Sequence, residues 1–241
     1  MAKTVNSKDP MRFQNHLLAE LPEEDYQRLL PQLEPVVFEL GTVVYQNAQH
    51  LEYLYFPTTS MISLLYTMAD GMTAEVGLTG NEGVVGIALF LGGDSTPNQA
   101  VVQIAGEAVR ISAKIVHEEF NRGEAFQQVL LRYTQALITQ ISQTAACNRL
   151  HDVEQRFCRW LLLSHDRVKS DKLEMTQELI ATMLGGRRES VTAVAGRLQD
   201  EGFISYARGH ITILNRKALE VAACECYGVV RTEYERLLGF S

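Results

Sequence analysis

Two adjacent glycines, Gly185 and Gly186, separate two stretches of helical periodicity, and a pair of β-rich runs follows at once. No other feature restricts the possible folds as much. In "MTQELIATMLGG", Thr176 precedes the apolar positions Leu179, Ile180 and Met183, with Glu178 in the first turn, the pattern of a capped helix. The glycine pair ends that helix and a second begins within a few residues, which is how a helix-turn-helix presents its second member to a DNA major groove. At about 100° per residue, Val191, Val194, Ala195 and Leu198 fall on one side of the second helix. Arg188, Glu189, Thr192, Ala193 and Gly196 fall on the other, with Arg197 at its flank.

The residue types on the second face suit base recognition. An arginine fork donates to O6 and N7 of guanine, a glutamate accepts from N4 of cytosine, and a threonine meets a thymine methyl or a phosphate. Arg188, Glu189 and Thr192 are therefore candidate readers, and Ser190 lies among them. Thr176, with the free amides of its helix start, suits a phosphate oxygen. Arg187 and Arg197 read as clamps on the DNA backbone. An isolated charge run is ordinarily a solvated helix face. Here "DEGFISYARGHITILN" follows, two β-rich runs turning at Ala207-Arg208-Gly209-His210, and such a wing offers Arg208 and His210 to the flanking phosphates.

Upstream the texture differs. "LPEEDYQRLLPQL" reads as a short helix, with Pro22 and three acids in its first turn. From Val36 to about Ser112, short β-rich runs are punctuated by Gly41, Asp70-Gly71, Gly80-Asn81, Gly92-Gly93 and Gly106, as in an antiparallel barrel or roll. Ser112 caps a short helix, "AKIVHEEF". Beyond Gly123 comes a helix of about 25 residues, near 38 Å long. Leu130, Leu137, Ile141 and Thr144 recur along it in steps of seven, four and three, and Thr134 and Asn148 are polar seam candidates, so it reads as a dimerisation helix. The alternative is a core helix lying across its own barrel. "HDVEQRFCRWLLLSHDRV" is another amphipathic helix, "VKSDKLEM" a charged break, and residues 216–238 are helical again. The organisation expected is residues 1–112 as sensor domain, 113–150 as connecting and dimerisation helix, and 151–241 as winged helix-turn-helix.

Composition excludes several classes. With 46% hydrophobic and 21% charged residues the chain is of the folded soluble type, and it has no apolar run long enough to span a membrane. The polar start "MAKTVNSKDPMRFQ" lacks a secretory core, so a cytoplasmic location is expected. A net charge of −7 argues against indiscriminate coating of nucleic acid while leaving room for a local basic patch. Cys147, Cys158, Cys224 and Cys226 show no disulfide framework, and no metal is expected. In a continuous helix Cys224 and Cys226 point to opposite sides, and the six histidines show no ligand spacing.

The stretch "MTQELIATMLGGRRESVTAVAGRLQDEGFISYARGHITI" resembles the winged helix-turn-helix of the Crp/Fnr (catabolite activator/fumarate-nitrate regulator) family, whose recognition helix begins with an Arg-Glu pair matched by Arg188-Glu189. The order of elements extends the resemblance over most of the chain. It implies an α+β fold: an N-terminal antiparallel β-roll of the cyclic-nucleotide-binding type, a long dimerisation helix and a C-terminal winged helix-turn-helix. Where the family often has a further basic reader, this chain has Ala193. Where cyclic-nucleotide-binding members have Gly-Glu and a phosphate-pairing arginine, it has Gly86-Ile87 and Asn98-Gln99. A buried phosphate without a cation is costly to desolvate, so cAMP and cGMP are expected to bind poorly. Glu82 and Asp94 read as solvated loop acids that would repel a phosphate, and Gly83, Gly86, Asn98 and Gln99 mark the candidate effector region. An iron-sulfur centre has no N-terminal cysteines to hold it, and His50 or His117 as a haem ligand has only a lone histidine in its favour.

No cofactor is therefore expected. The partners are double-stranded DNA with a palindromic operator and a second copy of the chain, with RNA polymerase and an unknown small-molecule effector left open. The alternative is a small-molecule-binding module whose winged helix docks protein. Catalysis has no Ser-His-Asp, paired-carboxylate or phosphate-loop motif to support it.

Overall fold

The computed structural model describes residues 10–168 and 170–239; most of the polar N-terminal stretch and Lys169 of the charged break lie outside them. Three short helices open the chain, α1 (Pro10–Gln14), α2 (His16–Glu20) and α3 (Glu23–Leu29). Only the last is legible in the sequence, and the second is fixed by Asn15. That side chain is buried, accepts from the amides of Leu17 and Leu18, and donates to the carbonyls of Pro57 and Gly83.

Seven strands follow: β1 (Glu34–Phe38), β2 (Val43–Tyr45), β3 (Tyr53–Pro57), β4 (Met61–Thr67), β5 (Thr73–Thr79), β6 (Gln99–Ile104) and β7 (Gly106–Ser112). They form two antiparallel sheets of order β1-β7-β3 and β2-β6-β4-β5. The turns are where glycine is needed. Gly71 takes φ +85° in the β4–β5 hairpin, where Asp70 accepts from the Met72 amide. A Cβ on Gly106 would come within 2.7 Å of backbone at Thr59 and Ser60.

Beyond α4 (Ala88–Leu91) and α5 (Ala113–Phe120), the 26-residue α6 (Ala125–Leu150) buries Phe126, Leu130, Tyr133, Leu137, Gln140, Thr144 and Cys147. Leu130 and Leu137 are 0% and 1% exposed within one chain, so they cannot form a seam with a second. The expected dimer stripe of Leu130, Leu137, Ile141 and Thr144 is thus corrected. It packs on the roll and on the chain's own C-terminal helix, with Leu137 and Ile141 against Gly77 of β5. Thr134 is likewise buried, while Asn148 is exposed.

The C-terminal part comprises α7 (Val153–His165), β8 (Lys172–Glu174), α8 (Gln177–Leu184), α9 (Arg188–Asp200), β9 (Ile204–Ala207), β10 (His210–Ile213), α10 (Arg216–Ala222) and α11 (Cys226–Leu238). Asp152 and Gln155 form a capping box on α7. The charged break contains β8, which pairs with β10 and makes the wing three-stranded. The continuous last helix also needs correction, since it breaks at Ala223–Glu225. Cys224 then lies between two helices and Cys226 at the start of the second, so the reason for keeping their thiols apart no longer holds.

One apolar core runs from Leu17 to Leu238 through both halves of the molecule. α11 lies along α6, and the ring of Tyr234 meets that of Tyr133 edge-on at 6.4 Å. No helix among the described residues is long and apolar enough to cross a membrane.

Candidate nucleic-acid interface

Thr176 caps α8, its hydroxyl accepting from the Leu179 amide at 3.2 Å, and Gly185 ends the helix in the left-handed region at φ +57°. α9 then starts at Arg188 with Arg187 as its cap. Its two faces divide as the wheel requires. Val191, Val194, Ala195 and Leu198 are buried, whereas Arg188, Glu189, Thr192, Ala193 and Gly196 are exposed.

The sequence-derived residues fall into two neighbouring groups. Arg188, Glu189, Thr192 and Ala193 line an open depression of about 400 Å³. Thr176, Arg208, Gly209 and His210 line a crevice of about 390 Å³ whose other wall is Leu40, Gly41 and residues 101–103 of the roll. Arg187 is exposed and Ser190 half-buried. Arg208 sits at the hairpin tip at φ +51°, beside Gly209 at +81°, the two positive values that a tight two-residue β-turn requires.

Two of the candidate readers have intramolecular partners. Arg188 lies 3.7 Å from Glu178, a pair in which both side chains are more than 60% exposed and which therefore holds the guanidinium weakly. The Thr192 hydroxyl has two acceptors in reach of its one proton, Gln177 Oε1 at 2.8 Å and the Arg188 carbonyl of its own helix at 2.9 Å. Arg197 is tied more firmly, donating through two nitrogens to Glu154 of α7 at 2.6 and 3.0 Å, so reaching a phosphate would require exchanging that carboxylate. Neither Gln177 nor Glu154 stands out in the sequence, because each acts through a partner on another helix.

The candidate effector region looks different. Gly83 is pressed under α6, where a Cβ would lie 2.1 Å from the Tyr133 ring. Asn98 accepts from the Tyr45 hydroxyl at 2.8 Å and donates to Thr96, and Gln99 starts β6. Gly86 and Asn98 border a cavity of about 80 Å³, lined otherwise by Tyr45, Leu51, Leu64 and neighbouring apolar side chains. Ligand pockets are usually about 300–1,000 Å³, and no Lys or Arg lines this one. His117 is exposed near Asp94, at 3.7 Å, and His50 is exposed.

Glu82 is not a solvated loop acid. It is buried and accepts from the Arg167 guanidinium at 2.7 Å and from the Gly80 amide at 3.0 Å. Asp94 is half-buried, with its side chain 50% exposed. A second buried acid, Glu75 of β5, accepts from the Ser63 hydroxyl and from the Trp160 indole at 3.0 Å. Burial pushes its carboxyl up to about 7, against the opposing pull of Ser63, Arg159, Trp160 and Arg167. Gln140 of α6 accepts from the Leu78 amide and donates to the Tyr234 hydroxyl. These polar pairs join the roll to α6, α7 and α11.

A β-roll, a long helix and an exposed, wing-flanked second helix define a winged helix-turn-helix architecture joined to a β-roll domain. Residues 155–222 match the family model of the Crp-like helix-turn-helix domain, and the whole has the fold of the Crp/Fnr transcriptional regulators. Among similar solved structures is a Crp/Fnr-family protein of Eubacterium rectale, with a TM-score of 0.68 at 16% identity over 87% of this chain and 98% of that one. A CRP-family transcriptional regulator of Thermus thermophilus gives 0.66 at 19% identity, over 78% and 96%. The c-di-GMP-responsive global regulator CLP of Xanthomonas campestris gives 0.63 at 18%, over 80% and 99%. No curated protein matches the chain in sequence.

Proposed function

We propose that this protein is a homodimeric, sequence-specific DNA-binding transcriptional regulator, with α9 entering the major groove and the wing gripping adjacent phosphates. The observation that carries this reading is the division of α9: an aliphatic face anchored in the core at 0–4% exposure, and an opposite face led by Arg188, whose side chain is 64% exposed. Arg188 and Glu189 are the base readers; Thr176, Arg187, Arg208 and His210 supply phosphate contacts, and Ser190 and Thr192 border them.

The dimer seam falls one residue along from the buried stripe. Leu131, Gln135, Ile138, Ser142 and Ala145 are exposed on α6 in alternating steps of four and three, the spacing of a coiled-coil seam. Leu131 and Ile138 are 44% and 57% exposed and supply its apolar contacts. The small, cation-free cavity beside Asn98 supports a signal other than cAMP or cGMP.

Arg188→Ala is the direct test. It is expected to weaken specific binding by about 1–3 kcal/mol, roughly 5–150-fold, and to relax one base position per half-site. Fluorescence anisotropy on a site selected by the wild type, at fixed salt, reads this. Equal affinity of variant and wild type, with unchanged base preference, would remove Arg188 as a reader.

A further inference from the structure

Four side chains outside the nucleic-acid interface converge where α6 ends. Cys147 lies in its last turn and His151 just past its end, while Cys224 and Cys226 come from the α10–α11 junction. Their three sulfurs and an imidazole nitrogen all lie within 4.8 Å of one another. The Cys147 and Cys224 sulfurs are 3.5 Å apart, and the Cys226 sulfur is 3.5 Å from His151 Nδ1. Around one tetrahedral zinc, bond lengths of about 2.3 Å to sulfur and 2.05 Å to nitrogen put sulfurs about 3.8 Å apart and sulfur and nitrogen about 3.6 Å apart. Two of these pairs, at 3.5 Å, already stand close to that spacing, and all four donors lie within 4.8 Å of one another.

The surroundings fit the same chemistry. His151 Nε2 lies 3.3 Å from a Glu225 carboxylate oxygen, the arrangement that orients a metal-bound imidazole and leaves Nδ1 as the free donor. Gln143 donates to the Cys226 sulfur at 3.1 Å, a polar contact that helps fix that sulfur in place. The three cysteines are at most 5% exposed and form a cluster of their own, apart from the main apolar core, so they do not serve as ordinary core filling. One disulfide would use two of the four donors and leave the third thiol and the imidazole without a role. Donors this close together can all reach one ion, and three sulfurs with one nitrogen select zinc among the common divalent ions.

We propose that Cys147, His151, Cys224 and Cys226 form a Cys₃His site for one structural zinc ion, clamping the end of α6 to the α10–α11 junction. Coordination joins residues 77 positions apart at the point where α6 hands over to the DNA-binding half, so the ion stiffens that junction.

The full-length protein, purified under reducing conditions, is expected to carry about one zinc per chain by elemental analysis. After exchange into Co(II) it should show thiolate-to-cobalt charge-transfer bands and the intense visible bands of tetrahedral cobalt. Cys224→Ser and His151→Ala should lose or weaken both signals. Cys158→Ser, a change on α7 outside the cluster, should keep them. The proposal is overturned if the reduced wild type holds substoichiometric zinc and gives no charge-transfer band with Co(II), or if peptide mapping finds a Cys147–Cys224 disulfide in the native protein. It is equally overturned if Cys158→Ser alone abolishes the cobalt spectrum. Because the wild-type spectrum is decisive by itself, a variant that fails to fold does not blunt the test.

Discussion

Arg167→Met is expected to destabilise the protein by about 3–5 kcal/mol, because it leaves the Glu82 carboxylate buried without its counter-charge. Arg167 is 6% exposed and donates to Glu82 and to the Leu163 carbonyl, both at 2.7 Å, with its guanidinium 5.7 Å from the centre of the Tyr234 ring. The pair joins the roll to α7 and α11, so its loss weakens the attachment of the winged-helix half. At about 2–4 °C per kcal/mol for a chain of this size, the melting temperature should fall by roughly 10 °C. Adding Glu82→Gln removes the stranded charge and keeps an acceptor for the Gly80 amide, and should recover most of the loss. Thermal unfolding of the two single variants and the double variant tests this. Equal destabilisation of Arg167→Met and the double variant would show that packing, and not the uncompensated carboxylate, carries the effect.

Glu75 gives the second large effect, through pH. Its carboxyl moves from the ordinary 4.5 to about 7 on folding, chiefly because burial disfavours the charged form. Between those values the folded state holds a proton that the unfolded chain has released. The stability this group contributes is therefore complete below about pH 4.5 and is lost as the pH rises through about 7. A shift of this size is worth on the order of 3 kcal/mol. Glu75→Gln mimics the protonated group, its amide oxygen accepting from the Trp160 indole and its amide nitrogen donating to the Ser63 hydroxyl oxygen, and should remove that slope. Urea midpoints for wild type and variant between about pH 5 and about pH 8 isolate it, since every other titrating group is common to both. The wild type should lose stability relative to the variant as pH rises. Parallel curves would mean that Glu75 is already ionised in the fold.

Where signals are local, the sequence was informative. The helix-turn-helix could be read because Thr176 caps its own helix, Gly185 supplies the left-handed stop, and the aliphatic positions of α9 keep a helical period. The roll was legible from its turn residues. α6 was harder, because Leu130 and Leu137 share the seven-residue spacing of Leu131 and Ile138, and only the surfaces packed against them decide which stripe faces inward. Glu82 looked like a loop acid since its partner lies 85 residues away. The cysteine cluster was hidden by "KALEVAACECYGVV", a stretch rich in good helix formers up to Glu225, whose break at Ala223–Glu225 carries no proline or glycine to announce it. β8, at three residues and two charges, is too short for any alternation to register.

In the proposed function two copies of α9, held by paired α6 helices, read base edges in successive major grooves. Selection of bound duplexes from a randomised library with the full-length protein, at fixed salt, tests this. The expected product is a two-fold symmetric site with half-site centres about 34 Å apart. Enrichment of no sequence at all, or of an isolated half-site without a symmetric mate, would contradict it.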